Sequence, residues 1–163
     1  IIAEHGWCRQ RAALFDIWLA SGKDIEICYI EEIMAMLFGQ FSTREHIGSQ
    51  FADLVIIESD GDIEGVDTLK MVSREATRLG LNVYRNSLSE ALAHKSIASR
   101  LVGYEALCDT CRSCEFLHQC GGGYLPHRYK HDTGFLNPSV YCNDIKYLIS
   151  HIRRALAKEL GNK

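Results

Sequence analysis

Five cysteines gather in the second half of the chain: Cys108, Cys111, Cys114, Cys120 and Cys142. Two residues separate each of the first three, five lie between Cys114 and Cys120, and Cys142 follows a loop containing Pro126 and Pro138. A tight turn brings the Sγ atoms of a C-x-x-C within reach of one ion, so this spacing can deliver several thiolates to one small volume. Gly121, Gly122 and Gly123 follow directly. Lacking Cβ atoms, they let the backbone turn sharply and approach a bulky ligand. The chemistry implied is that of a metal or iron–sulfur site. Metal binding lowers the thiol pKa from about 8.5, so such a site forms at neutral pH. Four sulfurs satisfy either tetrahedral zinc or one cubane cluster. A zinc ribbon shows two separate C-x-x-C knuckles. Three crowded cysteines with a distant last ligand favour a cluster instead.

Five thiols compete for four positions. Cys111, Cys114, Cys120 and Cys142 form one set. Cys108, Cys111, Cys114 and Cys120 form the other, with Cys142 buried. The neighbouring His118, His127 and His131 read as surface or hydrogen-bonding residues. Cys8 and Cys28 stand alone and read as small buried or half-buried thiols. Met34 and Met36 read as packing.

The elements that must position these thiols follow from apolar spacing. Residues 9–20 read as a helix, with Leu14, Phe15, Trp18 and Leu19 on one face and Gly22 as a stop signal. Ile25, Ile27 and Tyr29 alternate with Glu26 and Cys28 as a short extended piece. A second helix is expected from Glu31 to Phe38. After a polar connection at Gln40–Gly48, a hairpin is predicted. Its first strand is Leu54–Ile57, its turn Ser59–Asp62 and its return strand Ile63–Leu69, with Asp60-Gly61 supplying the positive φ. A helix over Lys70–Arg78 stops at Gly80, and Leu81–Tyr84 is extended. Ser87 and Glu90 form a capping box for a short helix. Another helix, Ile97–Ala106, leads into the cysteines. A loop follows Gly123. The last helix carries Ile145, Leu148, Ile149, Ile152, Leu156 and Leu160 as one stripe, with Arg153, Arg154 and Lys158 largely off it. The fold class is α+β: a small antiparallel hairpin or sheet, surrounding helices, a Cys-rich loop and a long C-terminal helix.

Composition narrows the function. The chain has 163 residues, 47% apolar content and two prolines, enough for one real core and too little proline for broad disorder. A net charge of −3 without a basic run leaves nucleic acid no electrostatic footprint. No apolar run approaches a membrane span. Seven cysteines, an odd number, suit a disulfide scaffold poorly, and a cytoplasmic location is expected. The opening Ile1-Ile2-Ala3-Glu4-His5 has neither an initiator Met nor a signal peptide, so an excised domain or trimmed chain is expected.

The pattern Cys111-x2-Cys114-x5-Cys120 with Gly121-Gly122-Gly123 and a later cysteine resembles the SPASM domain, the C-terminal extension of many radical S-adenosylmethionine enzymes that modify peptides and proteins. The hairpin Ile56–Ile63 matches the one that opens that domain. The wording at Gly121–Tyr129 and Asn137–Cys142 is similar to the branch that includes cyclophane-forming maturases of ribosomally made peptides. The resemblance covers about Ala52 to Leu160. It implies that residues 1–51 are the tail of a preceding barrel with its bridging helices, and that 52–163 are a SPASM-like auxiliary-cluster domain. It implies a [4Fe–4S] cluster on Cys111, Cys114, Cys120 and Cys142, with Cys108 as the alternative ligand. Zinc is the occupant an air-purified sample can acquire. The fuller family pattern has cysteines where this chain has Val66 and Tyr124. Both belong to the other auxiliary cluster, so one cluster is expected. Asp67 matches a proposed substrate base in the sulfatase-maturing relatives; otherwise it is a carboxylate capping the hairpin end. The implied partners are an upstream radical S-adenosylmethionine core and a ribosomally made peptide. The C-x3-C-x2-C loop of that core is absent, so this chain alone is not expected to cleave S-adenosylmethionine. The alternatives are a zinc-binding interaction module, or a fragment of an anaerobic sulfatase-maturing enzyme or arylsulfatase regulator.

Overall fold

The computed structural model describes residues 6–22, 24–42, 44–48, 54–94, 97 and 103–161. It is an α+β arrangement of helices beside a small antiparallel sheet. Helix α1 runs Gly6–Ala20. Its buried face is Cys8, Ala12, Phe15 and Trp18, spaced four, three and three residues apart as one helical stripe needs. Leu14, expected on that face, is instead exposed, and Leu19 is partly buried. Helix α1 ends where Ser21 Oγ donates to the Trp18 carbonyl and Gly22 turns at φ +89°.

Helix α2 spans Cys28–Leu37 and buries Ile30, Ile33 and Met36. The extended piece expected through Tyr29 is therefore cut short. The N–H groups of Ile30 and Glu31 both donate to the Ile27 carbonyl, which starts the helix at Cys28. Cys28, expected to be buried or half-buried, is exposed.

The sheet has the order β1-β2-β3, all antiparallel, with β1 at Ile56–Ile57, β2 at Asp62–Glu64 and β3 at Arg78–Asn82. The hairpin turn forms as expected. Gly61 sits at φ +87°, and a Cβ there would lie 2.7 Å from the Tyr84 ring. The return strand stops at Glu64, and Asp67–Met71 and Arg74–Ala76 are 3-10 turns. The helix expected over Lys70–Arg78 is thus replaced by these turns and β3. Tertiary pairing overrides local propensity here. Thr77 is fully buried, its hydroxyl donates to Glu64 and its carbonyl accepts from Gly65 N–H. A bulge between the pairs Ile63↔Leu81 and Glu64↔Arg78 falls at Gly80, φ +70°.

Helix α3, Leu88–Ala93, begins with the expected capping box of Ser87 and Glu90. Much of the helix expected over Ile97–Ala106 lies outside the described residues. Its end, Gly103–Ala106, is a 3-10 turn. The boundary drawn at 51/52 also lies outside them. Short helices α4 (Asp109–Arg112) and α5 (Leu117–Cys120) precede a 3-10 turn at Leu125–Arg128. Helix α6, Cys142–Gly161, buries Ile145, Leu148, Ile149 and Ile152. Leu160 continues that stripe in sequence but is exposed.

Two cores result. The larger joins α1, α2 and α6 through Phe15, Trp18, Ile33, Leu148, Ile149 and Ile152, and takes in Ile47 and Phe116. Full burial of a Phe15 or Ile149 side chain contributes about 1.5–3 kcal/mol. The smaller holds Ile63, Leu79, Ala91 and Ile97 beneath the sheet. No helix among the described residues is long and apolar enough to cross a membrane.

Candidate metal centre

The cysteines sit where short elements begin and end. Cys108 is the residue before α4, Cys111 lies within α4, Cys120 is the last residue of α5 and Cys142 the first of α6. Cys114 lies between α4 and α5, and its Sγ accepts the Phe116 N–H at 3.4 Å. Helices this short are fixed by their surroundings rather than by propensity. Phe116, between Cys114 and Cys120, is the anchor. It is buried in the larger core, and the Arg153 guanidinium of α6 covers its ring at 4.9 Å. Cys114 and Cys120 pack against the same core. The Cys120 carbonyl accepts Gly48 N–H at 3.1 Å, tying the segment after α2 to the site.

All seven cysteines are free thiols. The five candidates influence one another electrostatically, which places them in one neighbourhood. Burial pushes Cys111 up to about 12, helped by a hydrogen bond with Cys108 and by the charges of Cys108, Cys120 and Cys142. Burial pushes Cys120 up to about 11. The Gly122 backbone N–H opposes this by donating to the thiol, Cys142 and Cys114 add to the rise, and Arg128 opposes it. Cys142 is also raised, mainly by burial, against the pull of Lys146. The metal-free site therefore favours protonated thiols over bare thiolates.

The cysteine sulfurs are not gathered as closely as one zinc ion would hold them. Among the described residues, no three cysteine sulfurs lie within 4.8 Å of one another. Tetrahedral zinc, with Zn–S at about 2.3 Å, needs sulfurs about 3.8 Å apart. Four irons carrying one thiolate each space their ligands more widely. Cys108 and Cys142, the residues on which the two expected ligand sets differ, each interact with Cys111.

The three histidines are engaged elsewhere. Tyr104 Oη bonds His118 Nδ1 at 3.0 Å, His127 lies edge-on between Tyr124 and Tyr141, and His131 meets Asp132 at the surface. Val66, where the resemblance leads one to expect a cysteine, is buried apolar packing, and Tyr124, the other such position, packs on His127.

Asp67 opens the 3-10 turn after the hairpin and is largely exposed. It is not among the thiols. It belongs to a trio with Glu58 and Glu64, whose carboxylate oxygens lie within 4.8 Å of one another. The Lys70 ammonium already sits there, 2.7 Å from Asp67, 2.7 Å from Glu58 and 3.2 Å from Glu64. These hydrogen bonds, Asp67 first, raise the Lys70 pKa. Sequence reasoning missed this network, although Lys70 three positions after Asp67 on a turn was a usable signal. It also missed Arg128, whose place beside Gly122 arises from a long-range loop closure.

No protein-family model matches the chain, and no curated protein sequence does. Among solved structures, the chain is similar to native anSMEcpe, an anaerobic sulfatase-maturing enzyme, with bound AdoMet. The TM-score is 0.67 at 20% identity, covering 93% of this chain and 41% of that one. With bound AdoMet and Cp18Cys peptide, the same protein gives a TM-score of 0.61 at 21% identity, over 93% and 42% of the two chains. With AdoMet and Kp18Cys peptide the values are 0.60 and 20%, over 93% and 42%. The chain thus spans about two fifths of the length of these structures. Their likeness establishes the fold: this chain folds as a portion of anSMEcpe does.

Proposed function

We propose that this chain is a SPASM-like auxiliary-cluster module of a radical S-adenosylmethionine enzyme that modifies or crosslinks a ribosomally made peptide. One observation carries the reading: five free thiols linked by electrostatic influence lie on and beside short helices inside a fold shared with part of anSMEcpe. Cys111, Cys114, Cys120 and Cys142 are the proposed ligands of one [4Fe–4S] cluster, with Cys108 as alternative. The structures it resembles hold AdoMet, two of them with a peptide as well. On this reading the intact enzyme uses S-adenosylmethionine on an upstream core and acts on a peptide. Residues 1–51 then bridge from that core, and 52–163 form the cluster domain. Placement in the cyclophane-forming branch rests on the wording at Gly121–Tyr129 and Asn137–Cys142.

Held on these thiols, a cluster would supply one-electron redox capacity. The chain's own residues do the rest. Phe116 and the α6 core hold the thiols in place. Gly122 N–H donates to the Cys120 sulfur. The Lys70 ammonium holds the Asp67 carboxylate by an ion pair, so Asp67 is available as a substrate base only where Lys70 gives up that contact. Asp67→Asn in the intact enzyme tests this role, and full turnover removes it.

Anaerobic purification with metal analysis and an optical spectrum tests the main reading. A brown protein with iron and sulfide is expected. One zinc per chain from anaerobic preparations, with no cluster on reconstitution, overturns it in favour of a zinc-bound interaction module. Zinc in an air-purified sample does not, because a thiolate site accepts zinc once its cluster is lost.

A further inference from the structure

The thiol site carries a built-in cation on its Cys120 side. Arg128 closes the 3-10 turn Leu125–Arg128, and its guanidinium folds back over Gly122. A Cβ on Gly122 would meet Arg128 Nη1 at 3.2 Å and Leu107 Cδ2 at 2.7 Å, and Gly122 holds φ +83°. Only glycine lets the guanidinium come this close to the backbone whose N–H donates to the Cys120 sulfur. The turn is locked in that position. Buried Asn137 donates through Nδ2 to the Arg128 carbonyl at 3.0 Å and to the Gly134 carbonyl at 2.9 Å, and its Oδ1 accepts from Thr133. Val140 N–H donates to the His127 carbonyl at 2.9 Å, fastening the turn to the segment that enters Cys142. Arginine stays charged at every accessible pH.

We propose that Arg128 offsets the negative charge of the metal-loaded thiolate site and thereby raises the reduction potential of the group held there. The assignment rests on the cluster reading above. A cluster on four thiolates is anionic, and one added electron makes it more so. A fixed positive charge beside one ligand therefore stabilises the reduced form more than the oxidised form. Arg128 acts here as a tuning residue.

The test is a redox titration of the anaerobically reconstituted protein with dithionite, followed by electron paramagnetic resonance. Arg128→Met is expected to keep its iron and to lower the reduced-to-oxidised ratio at fixed potential at least tenfold, which is about 59 mV for a one-electron couple. Arg128→Lys, which keeps the charge, is expected to stay near wild type. An Arg128→Met protein with full iron content and an unchanged potential overturns the proposal. Should Arg128→Met fail to hold a cluster, Arg128→Lys decides. Loading at a wild-type potential supports the charge role, and loss in both shows a packing role and overturns it. Should wild-type protein take up no iron–sulfur cluster, the functional reading fails by itself. Cobalt(II) affinity then measures the same charge effect. A tenfold weaker affinity in Arg128→Met but not in Arg128→Lys supports it, and equal affinities overturn it.

Discussion

Replacing Cys142 with alanine separates the two ligand sets. Cys142 opens α6, whereas Cys111, Cys114 and Cys120 lie on the preceding short helices and turns. A shared cluster would close the loop between Cys120 and Cys142. By the chain-entropy estimate for a cross-link, closing a loop of roughly 20 residues stabilises the fold by about 3 kcal/mol. For a protein of this size that corresponds to roughly 6–12 °C in Tm. Without metal the same substitution removes one half-buried sulfur, worth about 1 kcal/mol at most on the scale of a buried methylene. Cys142→Ala is therefore expected to lower the Tm of the reconstituted protein by about 6–12 °C, and that of the apoprotein by no more than about 4 °C. It should also lose part of its iron. Cys108→Ala should leave both loaded values near wild type. The assay is anaerobic thermal unfolding of paired apo and reconstituted samples, with iron and sulfide counted in each. If Cys142→Ala keeps its iron and its loaded Tm while Cys108→Ala loses both, the ligand set is Cys108, Cys111, Cys114 and Cys120, and the reasoning from α6 is refuted.

Three further outcomes can be measured. Burial holds Cys120 near about 11 and Cys111 near about 12 in the metal-free fold. These lie above the unfolded value of about 8.5, so folding favours the protonated thiols. Their stabilisation is intact below about pH 8 and lost as the pH climbs towards 11. The apoprotein Tm should fall between about pH 8.5 and 10.5 while that of the loaded protein, whose thiolates have no proton to lose, changes less; parallel curves would contradict this. Gly61→Ala should cost about 1–2 kcal/mol in urea unfolding, from φ +87° and the Tyr84 ring at 2.7 Å, and adding Tyr84→Ala should recover part of it. Lys70→Met leaves Glu58, Glu64 and Asp67 facing one another. Its Tm should drop at low ionic strength and recover with salt, and a salt-independent drop would argue for lost packing.

Where one side-chain pattern decides the structure, the sequence was enough. The Asp60-Gly61 turn, the Ser87–Glu90 capping box and the α6 stripe through Ile152 all rest on local chemistry. Residues 70–78 carry a helical pattern as well, yet Thr77 is pulled into pairing with Gly65 and Glu64. That partner lies across the hairpin and has no local signature. Leu14 shows the same limit: helical spacing identifies faces but does not say which one the core takes. At the site, residue type and spacing marked the five thiols. They could not choose between Cys108 and Cys142, because both approach Cys111 in three dimensions. Arg128 was invisible for a related reason: its place over Gly122 depends on the closure of the 129–139 loop, which Asn137 and Val140 fasten.

The larger core draws its walls from both sides of the cysteine segment: Phe15 and Ile33 come well before it, and Leu148 and Ile152 come after it. This has a consequence for biosynthesis. On a ribosome, α1 and α2 emerge with their apolar faces uncovered, and they stay so until α6 is made. Cys142 is the first residue of that same helix. The chain therefore gains its last proposed ligand only as its core becomes able to close. Under the proposed assignment, cofactor insertion is coupled to completion of the core, and a delivery system would meet either an open chain with three or four loose thiols or a finished pocket.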